Sequence, residues 1–197
     1  MKKIVTVFAF ALICSGAFAQ FNQGRSIIGG NLGFNSQTVK LDANNSTTTQ
    51  GKITNIAITP QFGYFIIDNL AVGAGVDWTS RTDKADGSDD KTTTSKFTFN
   101  PFVRYYLDPG VFFQGRVGFG GGVDKEKNGS TTTTTKHGVF LWDIGVGYAW
   151  FLNDHVSIEP LVKYGMTVEN YKDNDVKVKY GIISVNIGIT AYLGERN

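Results

Sequence analysis

Apolar side chains recur at every second position from about Ser26 to Leu193, and nowhere in that stretch do they recur three and four apart over a helix's length. A period of two belongs to a strand whose two faces meet different surroundings, so the pattern predicts β-strands. In the first segment Ile28, Gly30, Leu32 and Phe34 alternate with Gly29, Asn31, Gly33 and Asn35. In the fourth, Phe97, Phe99, Pro101, Val103 and Tyr105 alternate with Thr98, Asn100, Phe102, Arg104 and Tyr106. Eight such segments can be drawn, the others starting near Asn55, Leu70, Phe113, Trp142, Val156 and Ile183.

Two kinds of connector alternate between them. Short turns fall at Ile67-Asp68-Asn69, Asp108-Pro109-Gly110 and Asn153-Asp154-His155, all rich in turn formers. The other connectors are long and polar: Gln37–Lys52, Ser80–Lys96, Asp124–His137 and Thr167–Lys177. Three carry Thr runs, at Ser46–Thr49, Thr92–Ser95 and Ser130–Thr135, and all four are expected to be extended hairpin loops. A weak repeat centred on Tyr64, Tyr105 and Tyr148, each leading into a short turn, supports this hairpin periodicity.

The contents of the two faces decide which is inside. One face is apolar, often bulky and nearly free of charge; the other is crowded with Gly and carries Asp77, Arg104, Arg116, Asp143, Glu159 and Lys163. Eight strands enclose an interior just wide enough for side chains, so the small and mutually paired polar residues belong inside. The bulky aliphatic face must then point outward, where only lipid makes it stable. About ten residues per strand cross the hydrocarbon layer at a tilt, and these segments have that length. Trp78, Phe97 and Trp142 lie towards the long-connector ends, and Tyr64, Tyr105, Phe113, Tyr148 and Trp150 towards the short-turn ends. Ordinary β-propensity also enriches aromatics in strands, but their outward register points to two interfacial girdles. The fold class expected is therefore all-β: a transmembrane up-and-down antiparallel barrel of eight strands.

Composition adds a location. Only 18% of residues are charged, against roughly 25% in a typical soluble domain, while Gly (24) and aromatics (13%) run high. Lys2 and Lys3 precede an apolar run from Ile4 to Ile13, and Ala17-Phe18-Ala19 supplies the small residues of a cleavage site. Residues 1–19 read as a signal peptide cleaved after Ala19, and residues 20–197 as the barrel. The apolar run is too short to span a bilayer, so the chain is expected to be exported. Without Lys2 and Lys3, basic and acidic residues stand level at 17 each, a balance that speaks against a nucleic-acid partner. The single cysteine, Cys14, departs with the signal unless it is the acylated first residue of a lipoprotein, which the bulky Ile13 argues against. The mature chain must then hold its fold without disulfides.

With these features the chain resembles the small eight-stranded outer-membrane barrels, the group that includes the OmpA transmembrane domain and OmpX. The resemblance runs from about Ser26 to Leu193 and is carried by the alternating strands, the short and long connectors, and segments such as Pro60–Val76. It implies a monomer in the bacterial outer membrane, in contact with outer-membrane lipid and lipopolysaccharide, with no cofactor and no bound metal. The segment Asn186–Leu193 is similar to the terminal strand signal read by the outer-membrane assembly machinery, although the chain continues to Gly194-Glu-Arg-Asn197 instead of ending on an aromatic. No peptidoglycan-binding half is expected.

Several constellations could carry chemistry. The six lumen charges are expected to pair, Arg104, Arg116 and Glu159 at a lower level and Asp77, Asp143 and Lys163 above them, forming a plug; the rival reading is a gated ion path. His155, Ser157 and Glu159 share one face of a strand at a spacing of two, which suggests a serine–histidine hydrolase of the lipid-modifying kind. Their position beside a short turn, away from the outer leaflet, argues against it. Gly118–Gly122 lacks the following helix of a phosphate loop. Asp83, Asp86, Asp89 and Asp90 match no standard Ca²⁺ spacing, and His137 is expected at the surface. The function expected is non-enzymatic: envelope integrity or surface interaction through four long loops. A narrow channel or transporter for small apolar solutes is the alternative.

Overall fold

The computed structural model describes residues 21–43, 46–171 and 176–194. The expected signal peptide, its cleavage site and Cys14 lie outside the described residues. Nine strand segments follow one another: β1 (Ser26–Ala43), β2 (Ser46–Ile67), β3 (Leu70–Ala85), β4 (Lys91–Leu107), β5 (Val111–Asn128), β6 (Thr131–Tyr148), β7 (Trp150–Asn153), β8 (Val156–Tyr171) and β9 (Val176–Leu193). Each pairs antiparallel with the next, except that β6 passes over β7 to pair with β8, and β1 pairs with β9, so that the sheet closes into a ring. β6 and β7 share one position in that ring. Both pair with β8, and the register runs through the break at Ala149: Gly147 faces Leu161 and Trp150 faces Ile158, three steps along on each strand. Nine segments therefore fill eight positions.

Burial alternates with the pleat. Along β4, Thr98, Asn100, Phe102, Arg104 and Tyr106 are buried, while Phe97, Phe99, Val103 and Tyr105 are exposed. A soluble fold would hide the second set and solvate the first, so this molecule is inside out with respect to water. Among the described residues no helix is long and apolar enough to cross a membrane; the strands are the crossing elements.

The long polar connectors are not loops. Thr92–Ser95, Asp124–Asn128, Thr131–Thr135 and Thr167–Tyr171 all continue the strands, and the turns shrink to residues 86–90 and 129–130. Thr favours strands through its β-branch, and cross-strand hydroxyl pairs such as Thr82–Thr93 and Ser80–Ser95 tie the extensions together. Both faces are polar there, which removes the alternation that marks a strand in the sequence. Gly87 (φ 68°) and Gly129 (φ 58°) supply the left-handed residues at these tips, and Asn69 (φ 65°) does so in a short turn.

Closure of the ring is uneven. β1 and β2 pair along nearly all of β1, from Ser26 to Ala43, whereas β1 and β9 pair only from Ser26↔Leu193 to Gly30↔Ile189. Carried on in the same register, Ala43 would face Val176, so the two strands match in length and end together. They nevertheless part above Gly30.

Candidate functional site: a layered lumen

The inward faces of the strands build the lumen in layers, beginning at the short-turn end. Its floor is aromatic. Phe65 (β2), Tyr106 (β4), Phe112 (β5) and Tyr192 (β9) are buried together with Phe21, which stacks on Tyr106 at 4.1 Å between ring centres. Room for such bulk comes from glycines on the neighbouring strands: a β-carbon on Gly147 would lie 2.3 Å from the Phe112 ring. The expectation of a small-residue and polar lumen thus fails at this end, where large rings fill the bore.

A saturated ionic layer rests on the floor. Arg104 Nη1 donates to Glu159 Oε2 at 2.7 Å, with both side chains at most 3% exposed. Arg104 Nε and Nη2 donate to Gln114 Oε1, its cross-strand neighbour. A hydroxyl circuit completes the layer: Arg104 Nη1 donates also to the Tyr106 hydroxyl, which lies 3.1 Å from that of Tyr192, and Tyr192 donates to Glu159 Oε1 at 2.7 Å. Ser157 Oγ donates to the same Oε1 at 3.0 Å. A charge buried without such partners costs several kcal/mol; here both charges are paired and multiply hydrogen-bonded.

The next layer belongs to Arg116. It binds Asp143, directly opposite in the β5–β6 ladder, at 2.7 Å and Asp77 of β3 at 2.8 Å. This corrects the expected levels: the β5–β6 register puts Arg116 opposite Asp143, and its long arm reaches on to Asp77. It also corrects the expected pairing of all six charges. Lys163 lines the lumen cavity beside this layer, but no carboxylate among the described residues lies within 4.0 Å of it. That cavity, about 340 Å³, reaches from Arg104 and Glu159 up to Asp77 and out to the β1–β9 parting.

A fourth layer was not visible in the sequence. His137 is buried, not at the surface: its Nδ1 lies 3.2 Å from Asp124 Oδ2, its Nε2 3.8 Å from Glu169 Oε2, and its ring packs against Tyr171. Gly122, opposite His137 in the ladder, leaves the space; a β-carbon there would sit 2.1 Å from Nε2. Lys96 and the Tyr180 hydroxyl both donate to Glu169 Oε1, and Tyr171 donates to Oε2. The available signal was Gly122 facing a histidine across a hairpin, legible only once the register is known.

The other candidates come apart. His155 is exposed in its turn, its backbone N–H donating to Asn153 Oδ1, while the Ser157 hydroxyl is spent on Glu159. Asp83 pairs with Arg81, and Asp90 accepts from the Gly129 amide. Among the described residues no group of three or more His, Cys, Asp or Glu is arranged to hold a metal ion.

Residues 82–196, more than half of the chain, match the family described as outer membrane protein beta-barrel domain. The chain belongs to this family. It is an integral outer-membrane barrel, similar to several solved structures. Ail, the attachment invasion locus protein of Yersinia pestis, is 16% identical, with 87% of this chain and 99% of that chain covered and a TM-score of 0.49. OprG from Pseudomonas aeruginosa is 14% identical, with 88% and 98% covered and a TM-score of 0.48. The translocator domain of the autotransporter NalP from Neisseria meningitidis is 10% identical, with 96% and 69% covered and a TM-score of 0.50. No curated protein matches the chain.

The aromatic positions divide by exposure. Tyr64, Trp78, Phe97, Tyr105, Phe113 and Trp150 are exposed on the outer face, and Trp142 and Tyr148 are half-buried, with Trp142 edge-on to the outward Tyr164.

Proposed function

We propose that this barrel is a non-enzymatic monomer closed to flow along its axis, acting in envelope integrity or surface contact through the four long hairpins that extend its strands. Its belt would lie in outer-membrane lipid and lipopolysaccharide. The observation that carries this reading is the floor: packed aromatic rings beneath an Arg104–Glu159 layer with its hydrogen bonds satisfied. A bore filled in this way offers ions no continuous wet path. The absence of enzymatic activity is supported by Ser157, whose proton is committed to a carboxylate already held by Arg104 and Tyr192.

The test is planar-bilayer recording on the purified protein, with only rare, small openings expected; large, stable conductances would defeat the closed-barrel reading. In cells, shortening the hairpins by joining Ser80 to Ser95 and Asp124 to Thr135, cross-strand neighbours in their ladders, through minimal turns should abolish surface or envelope phenotypes while boiled and unboiled samples still migrate differently on a gel. Phenotypes that survive the shortening would move the function away from the hairpins.

A further inference from the structure

We propose that the barrel takes up a single-chain amphiphile from the bilayer through the parting between β1 and β9, and holds its uncharged, hydrogen-bonding head in the lumen cavity. Lateral access of this kind needs no path through the floor, so it stands independently of the function proposed above. The first argument is topological. Leu32, Val185 and Ile187 point outward, yet they border the same cavity as the inward Asn31 and Asn186. The β1–β9 ladder stops at Gly30↔Ile189, just below them, so at this place the cavity meets the outer face where no ladder bond crosses the wall.

The chemistry of the opening is amphiphilic. Its outer flanks are among the most exposed apolar positions of the molecule, with Leu32 at 82%, Ile183 at 77% and Val185 at 73%, which suits an alkyl chain lying in the hydrocarbon. The strand edges themselves present backbone N–H and C=O groups without ladder partners, a costly state at membrane depth that a polar head can relieve. Inside, the fully buried Asn100 lines the cavity, and its Oδ1 has no protein donor. Lys163 faces the same space as a donor, with no carboxylate among the described residues within 4.0 Å. A head that both donates and accepts, such as a hydroxyl or a primary amide, matches this lining. The six charges around this cavity, Asp77, Asp143 and Glu159 against Arg104, Arg116 and Lys163, sum to zero, so a charged head would bring an uncompensated charge into a low-dielectric bore. The single slot and the cavity's modest volume of about 340 Å³ favour one chain over a two-chain lipid.

The experiment uses the full barrel in phospholipid nanodiscs, with the side-chain amide resonances of Asn31, Asn100 and Asn186 followed by NMR during addition of dodecanol, dodecanoate or dodecylammonium. Dodecanol should shift them saturably, half-saturating at least about tenfold below the two charged probes. The pair Gly33→Cys and Asn186→Cys would face each other if the ladder continued, so its oxidation should close the opening and remove the response, and reduction should restore it. Where that disulfide does not form, Gly33→Phe fills the mouth from the inner face and should weaken dodecanol binding while the heat-modifiable gel shift persists. Equal response to all three heads, or dodecanol binding untouched by both closures, overturns the proposal. So does a doubled particle mass with the Asn31–Ala43 amides protected from exchange before any amphiphile is added, because that outcome gives the edges to a second copy.

Discussion

Two glutamates on β8, Glu159 and Glu169, stand ten residues apart on the same inward face and are held by similar sets of groups. Each accepts from one base and from tyrosine hydroxyls: Glu159 from Arg104 and Tyr192, Glu169 from Lys96, Tyr180 and Tyr171. Their settings differ. The lower pair lies on an aromatic floor with Arg104 1% and Glu159 3% exposed, whereas in the upper pair Glu169 is 7% exposed and Lys96 is 28% exposed. The same chemistry therefore performs two tasks. Below, water is excluded and each hydrogen bond is needed to keep a charge tolerable. Above, water reaches Lys96 and can replace a partner lost there, and the cluster mainly knits the strand extensions into one body.

Breaking the lower pair on one side should have the largest effect. Arg104→Met leaves Glu159 as a buried charge without its cation and is expected to cost about 3–5 kcal/mol in reversible urea unfolding from lipid vesicles. Adding Glu159→Gln should recover most of the loss, because the second change removes the stranded charge. Recovery absent from the double variant would mean that the floor packing, not the charge, holds this layer. Lys96→Met, the matching change above, should cost only about 1 kcal/mol in the same assay and should depend on salt. The tyrosines sharpen the contrast: Tyr192→Phe removes a 2.7 Å donor from a buried carboxylate and is expected to cost about 1–3 kcal/mol, while Tyr180→Phe should cost under about 1 kcal/mol. Equal penalties for the two tyrosines would erase the distinction between a dry floor and a wet upper layer.

The lower half was the more legible in the sequence, and the reason is physical. Where one face meets lipid, the alternation of Phe97, Phe99, Val103 and Tyr105 with Asn100 and Arg104 is forced, so strand and register can be read together. In the upper half both faces are polar, the alternation vanishes, and the Thr runs resemble loops although Thr82–Thr93 and its neighbours form regular pairs. His137 was misplaced because its neighbours in sequence, Lys136 and the Thr run, are those of a surface residue. Its contacts, Asp124, Glu169 and Tyr171, arrive from other strands. The aromatic floor was hidden for a related reason: Phe65, Tyr106, Phe112 and Tyr192 break the rule of a small-residue interior, and only facing glycines such as Gly147 accommodate them. Nothing in the pattern marked the parting of β1 from β9, since both strands alternate normally and match in length.

The smallest expected effect lies beyond the upper cluster, at the hairpin tips, where Asp90 accepts a 2.7 Å hydrogen bond from the Gly129 amide and so links two hairpins. That amide, with help from Ser88, holds the Asp90 carboxyl below its ordinary value of 3.8. A lowered value in the folded state means that the tie contributes fully above the ordinary value and is lost as pH falls through the lowered one. Asp90 is half-exposed at a hairpin tip, so losing the tie should free the tips without touching the barrel. The Gly129 amide resonance should therefore titrate with a midpoint below 3.8, and Asp90→Asn should abolish that titration. Resonances of the Arg104–Glu159 layer should not move with it. If they did, the tips and the floor would be coupled through the wall, and the division of the lumen into a dry half and a wet half would have to give way to a single cooperative column.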